Sequence, residues 1–111
     1  MHELSIVQSM MKIVEDVAKD KEVTKLVVKI GKMGGVEPHF LKESFNVFKE
    51  NTICHNAIME IIEVDIKVRC LDCNQESKID NFDFHCPKCG SEKTKLINGN
   101  EMHIDYIEVK E

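Results

Sequence analysis

Cys70-Leu71-Asp72-Cys73 and Cys86-Pro87-Lys88-Cys89 are two C-x2-C knuckles separated by twelve residues. A two-residue spacer lets both thiolates of a knuckle face one ion from a tight turn, and a second knuckle completes a tetrahedron. Gly90, directly after the second knuckle, tolerates the positive φ that such turns require. Between 70 and 90 the bulky apolar residues are only Leu71, Ile79, Phe82 and Phe84, too few to bury a core without a staple. The spacing predicts a metal ion held by Cys70, Cys73, Cys86 and Cys89. Zinc is favoured because nothing else in the sequence points to electron transfer, although iron suits the same four sulfurs. With every position taken by thiolate the ion is structural, with no ligand site open to water or substrate. Disulfides would require an oxidising compartment, and a redox dithiol needs one C-x-x-C at a helix start, not two matched copies. The fifth cysteine, Cys54, is read as a spare, partly buried thiol.

The flanking chain is patterned as ordinary secondary structure. Val7, Met10, Met11, Val14, Val17 and Ala18 recur at three- and four-residue spacing, which predicts an amphipathic helix over 4–20, opened by Glu3 or Ser5. Residues 23–30 read as a strand broken by Gly31, Gly34 and Gly35. Pro38 suits a first helical turn, and Leu41, Phe45 and Phe48 carry a second helix to about Asn51. Over 58–68 the even positions Ile58, Ile62, Val64, Ile66 and Val68 are apolar, predicting one long strand with a single buried face. Asn98, Gly99 and Asn100 make a turn, and residues 102–109 return as a strand. The expected fold is α+β: two helices on one face of a three-stranded sheet, with a metal ribbon inserted before the last strand. Its domains are 1–69 plus 98–111, and the ribbon 70–97.

Charge narrows the function classes. Fifteen Lys and Arg against 20 Asp and Glu leave a net charge of −5, which disfavours nucleic acid as a partner. No run approaches the roughly 18 apolar residues of a membrane span, and Met1-His2-Glu3 does not open like a secretory signal, so a cytoplasmic protein with no membrane partner is expected. No Ser-His-Asp set, phosphate loop or paired-carboxylate arrangement stands out, which predicts a protein that is not an enzyme.

The start of the chain offers different chemistry. A bulky His2 is expected to preserve Met1 with a free α-amine. That amine, the deprotonated amide nitrogen of His2 and the His2 imidazole can close fused chelate rings about one ion. Three nitrogens in a plane suit Ni(II) or Cu(II). The fourth ligand is open between the Glu3 amide or carboxylate, a water and a histidine brought by the folded chain.

Taken together, Met1-His2-Glu3-Leu4-Ser5-Ile6-Val7, Ile30-Gly31 leading to Gly35-Val36-Glu37-Pro38, the double knuckle ending at Gly90, and Gly99-Asn100-Glu101-Met102 with Ile107-Glu108-Val109 resemble the HypA/HybF family of nickel chaperones for [NiFe]-hydrogenase maturation. The likeness spans residue 1 to about 109. It implies a nickel site at Met1, His2 and Glu3, with Ni(2+) as cargo, and a zinc domain on the four cysteines. It also implies a HypB-type GTPase and the hydrogenase large subunit as partners, and in some bacteria urease accessory proteins. Monomer and homodimer both remain open. Some relatives bring an Asp just after the glycine loop, or a histidine from the zinc region, to nickel; here the loop holds Glu37, His39 and Phe40, and the resemblance leaves His85 and His103 as the substitutes.

Overall fold

The computed structural model describes residues 3–80 and 82–111. In chain order these form α1 (Glu3–Ala18), β1 (Val23–Gly31), a 3-10 turn (Lys32–Gly34), α2 (Pro38–Phe48), β2 (Ile58–Val64), β3 (Ile66–Cys70), β4 (Glu76–Ile79), β5 (Thr94–Asn98) and β6 (Met102–Val109). The chain divides into two compact units. One comprises Met1–Lys29, Val36–Ile62 and His103–Glu111; the other comprises Ile30–Gly35 and Glu63–Met102. The 70–97 ribbon expected from the sequence falls inside the second unit. No helix among the described residues is long and apolar enough to cross a membrane.

The first unit is built on the sheet β2-β1-β6, with β1 central. Helix α1 buries Val7, Met10, Met11, Val14 and Ala18, and α2 buries Leu41 and Phe45. Val23, Leu26, Val27 and Val28 of β1 and Met59 of β2 are buried as well. The helix ends have local causes. Lys19 and Asp20, with φ of 51° and 70°, take left-handed conformations that stop α1. Pro38 starts α2, and the Glu37 carboxylate accepts the His39 backbone N–H at 3.1 Å as its cap. Val17, expected on the apolar stripe, is 59% exposed because it falls at the stripe's edge. Phe45 is fully buried, and the Lys49 ammonium lies 5.5 Å from its ring centroid while donating to the Ala57 carbonyl at 2.8 Å. Phe45→Ala is expected to destabilise the protein by about 3–5 kcal/mol, read in urea unfolding followed by far-UV circular dichroism.

The long strand expected over 58–68 is two strands with opposite phases. β2 ends at Val64 and β3 begins at Ile66 in the other sheet. In β3 the even positions Ile66, Val68 and Cys70 are buried as expected, but in β2 it is Met59 that is buried while Ile58 is 70% exposed. Ile58, Met59, Ile61 and Ile62 put apolar side chains on both faces of β2, so alternation alone could not choose between them. The break falls at Asp65, whose carbonyl accepts the Asn98 side-chain amide at 2.7 Å and whose carboxylate pairs with Lys32 at 2.6 Å and Lys78 at 3.5 Å.

The second unit carries the sheet β4-β3-β5, with β3 antiparallel to both neighbours. Ser77 of β4 and Leu96 of β5 flank Val68. Ile66, Val68 and Ile79 form its small core, with Phe84 and Leu96 packed against it.

Candidate metal centre

β3 runs directly into the first knuckle, and the two knuckles repeat one hydrogen-bond plan. The Cys70 N–H donates to the Gln75 carbonyl at 2.9 Å, and the Cys86 N–H to the Ser91 carbonyl at 2.9 Å. Four residues on, the Asn74 N–H returns to the Cys70 carbonyl at 2.9 Å and the Gly90 N–H to the Cys86 carbonyl at 2.8 Å. Both of these residues are left-handed, Asn74 at φ 63° and Gly90 at 78°. Asn is among the few side chains that visit this region readily, so Asn74 does the first knuckle's turning as glycine does the second's. The equivalence of Cys70+4 and Cys86+4 is the signal by which sequence reasoning could have found Asn74. Between the knuckles, Leu71 N–H donates to the Lys93 carbonyl at 2.8 Å, and the Ser91 hydroxyl donates to the Asp72 carboxylate.

The result is a compact sulfur cage. The four sulfurs lie within 4.8 Å of one another, Cys70 to Cys89 at 3.5 Å and Cys73 to Cys86 at 3.7 Å. A regular tetrahedron with metal–sulfur bonds of about 2.3 Å has edges of about 3.8 Å, so the cage fits a thiolate-bound zinc-sized ion. Backbone N–H groups already point at the sulfurs. Cys70 Sγ accepts from Asp72 at 3.3 Å and Cys73 at 3.4 Å, and Cys86 Sγ accepts from Cys89 at 3.4 Å.

These donors set the order in which protons leave. The Cys89 and Lys88 backbone N–H groups hold the Cys86 thiol down at about 6. The Cys73 and Asp72 N–H groups likewise lower Cys70. The Ser91 backbone draws Cys89 down, but sharing with Cys70, burial and sharing with Cys86 push it up to about 12. Adjacent sulfurs cannot all carry charge alone, and a divalent cation bound here would replace the shared protons. Cys54 is not a member of the cluster. It is fully buried, more so than expected, and burial followed by the Glu15 carboxylate pushes its thiol up to about 11.

Of the residues assigned to nickel from the sequence, Met1 and His2 lie outside the described residues. Glu3 is half-buried as the first residue of α1. The proposed auxiliary His85 is engaged elsewhere. Its Nδ1 lies 2.8 Å from Asp83 Oδ1 and its Nε2 3.2 Å from Glu92 Oε1. Asp83, then Glu92, raise its imidazole above the ordinary value. Both ring nitrogens of His85 thus lie against carboxylates. His103 is exposed in β6.

Comparison with known proteins identifies the chain. The family description "Hydrogenase/urease nickel incorporation, metallochaperone, hypA" matches residues 1–109. The hydrogenase maturation factor HypA of Aquifex aeolicus is 45% identical, with 99% of this chain and 98% of that protein covered. The solution structure of the Ni metallochaperone HypA from Helicobacter pylori superposes with a TM-score of 0.69 at 30% identity, covering 98% of this chain and 97% of the other. A second HypA solution structure gives 0.73 at 30% identity, over 99% and 97%. Matched along nearly its whole length in sequence and in fold, the chain belongs to the HypA family, a family of hydrogenase-maturation metallochaperones and not of enzymes.

Proposed function

We propose that this chain takes up Ni(2+) at Met1, His2 and Glu3 and passes it to a [NiFe]-hydrogenase large subunit, with a structural Zn(2+) in the four-cysteine cage. The observation that carries the division of labour is the closure of that cage, with all four sulfurs within 4.8 Å of one another. A tetrahedral ion held by four thiolates has no position at which cargo can enter or leave. The cargo therefore needs a site of a different kind. An amine, a backbone amide nitrogen and an imidazole at a chain end provide one, since termini reorganise at small cost and nitrogen donors suit Ni(II). Glu3 completes the set from the first turn of α1. By kinship with proteins named hydrogenase maturation factor and Ni metallochaperone, the client is a hydrogenase in the cytoplasm. A HypB-type GTPase is the companion that supplies nucleotide hydrolysis. The family description also names urease, and urease accessory proteins are the second class of client partner. In this reading residues 1–69 with 98–111 carry nickel, and 70–97 orient the partner surface.

The test compares nickel titration calorimetry of the zinc-loaded protein with His2→Ala and with a variant extended by one residue before Met1. The extension keeps the imidazole but abolishes the terminal chelate. Both variants are expected to lose the site. In the parent, amine and imidazole protons with ordinary pKa values of about 7.7–8.0 and 6.5 must leave before nickel binds, so affinity falls by about a hundredfold or more from pH 8 to 6. Undiminished nickel binding at the same stoichiometry in either variant rejects the chelate.

A further inference from the structure

The outward face of the β4-β3-β5 sheet breaks a rule that stable sheets obey. In β3, Ile66, Val68 and Cys70 point to the core, which leaves Lys67 and Arg69 on the other side. Glu76 and Lys78 face outward from β4 in the same way. The register sets Lys67 directly opposite Lys78 of β4, and it sets Arg69 between Glu76 of β4 and Lys95 of β5. Like charges directly across a strand pair destabilise it. Glu76 is the carboxylate within these rows, at 3.2 Å from Lys67 and 2.8 Å from Arg69. Lys78 reaches only Asp65, at 3.5 Å, a carboxylate that lies closer to Lys32. Among the described residues Lys95 makes no ion pair. Four cations, Lys67, Arg69, Lys78 and Lys95, thus share one face with Glu76, on a chain whose net charge is −5. Glu76 offsets part of the cost of the two like-charge pairs, and the excess of cations that remains, centred on Lys78 and Lys95, is the kind of local violation that accompanies a binding surface.

We propose that this face docks an acidic, extended segment of a partner protein. Carboxylates laid along β3 would meet the Lys67–Lys78 row and the Arg69–Lys95 row in turn and relieve both repulsions. Exposed Ile97, two residues after Lys95 in β5, offers an apolar contact at the end of the row. Nucleic acid would also bring negative charge, but Lys67, Arg69, Glu76, Lys78, Lys95 and Ile97 include no aromatic side chain on which a base could stack. The chain's overall negative charge opposes a phosphate backbone as well. The docking face uses none of the proposed nickel ligands.

The experiment uses the zinc-loaded full chain and a fluorescein-labelled Glu-rich decapeptide containing two Leu, followed by fluorescence anisotropy. A labelled thymidine decanucleotide is run beside it. Peptide affinity is expected to fall about tenfold between low and moderate salt, and about tenfold again in Lys78→Glu/Lys95→Glu. Amide shift changes should centre on residues 67–69, 76–78 and 94–97. Unchanged metal content and nickel uptake in the double variant show that neither the fold nor the nickel reading is at issue. Lys95→Gln alone, with a smaller loss, repeats the test should the double variant misfold. Peptide binding that survives these substitutions, shift changes elsewhere, or tighter binding of the oligonucleotide overturns the proposal.

Discussion

Cys73→Ser is expected to empty the metal centre and to collapse the dispersed amide resonances of Glu63–Met102, while α1 and α2 keep their helical signal. The reasoning starts from the size of the core. Ile66, Val68 and Ile79 are the buried cluster of the second unit, with Phe84 and Leu96 alongside. Three small strands with so little apolar interior do not hold themselves together without a staple. Structural zinc in comparable small modules contributes about 10–16 kcal/mol of apparent binding free energy near pH 7, and that binding is folding free energy. A serine hydroxyl neither ionises nor binds zinc as a thiolate does, so one substitution opens the tetrahedron. Chelation of the parent protein should reproduce the same spectrum. Cys54→Ala is the matched control, because its buried thiol belongs to the first unit and is not one of the four clustered sulfurs. Metal analysis should find one ion per chain in the parent and in Cys54→Ala, and none in Cys73→Ser. Full metal content and an undisturbed amide spectrum in Cys73→Ser would show that the cage does not staple this unit.

What could be read from the sequence follows the physics of each element. α1, α2, β1 and β6 carry long apolar patterns, and their types are plain without a structure. The clustering of the four cysteines was legible because thiolate spacing is a local geometric constraint that no tertiary contact needs to supply. β4 was hidden because Glu76-Ser77-Lys78-Ile79 has a single apolar residue, and its pairing with β3 is visible only once the knuckles fold the chain back. The split of β2 from β3 was hidden for a related reason. Asp65 sits in a run of otherwise regular alternation, and what ends the strand there is its capture by Asn98, Lys32 and Lys78, all distant in sequence. The inverted phase of β2 could not be decided from a segment that is apolar on both faces. In the knuckles the glycine announced itself, whereas Asn74 filled the same conformational role without the same visibility.

The glycines near the 3-10 turn supply the second large effect, because they are required for different reasons and one is hardly required at all. A Cβ placed on Gly31 would stand 2.0 Å from the Gly99 carbonyl oxygen, 2.2 Å from its carbon and 2.6 Å from the Asn100 nitrogen. All three are backbone atoms, and they are pinned there. The Gly31 N–H donates to the Glu101 carbonyl at 2.7 Å, the Met33 N–H to the Gly99 carbonyl at 2.8 Å, and the Gly99 N–H to Glu101 Oε1 at 2.8 Å. Gly99 cannot retreat, since its own Cβ position already lies 2.7 Å from the Ile66 Cα. Gly31→Ala therefore has to break this backbone crossing, at an expected cost of about 3 kcal/mol or more and a Tm lower by about 10 °C. Gly35 has open space around it but a φ of +72°, so Gly35→Ala should cost only the left-handed penalty of about 1 kcal/mol. Gly34 has neither problem, its nearest contact being the Met102 Cε at 4.0 Å, and Gly34→Ala should stay within about 0.5 kcal/mol of the parent. Differential scanning calorimetry of the three variants reads the order directly. A Gly31→Ala protein as stable as Gly34→Ala would mean that the crossing of residues 31 and 99 is not the close backbone contact described.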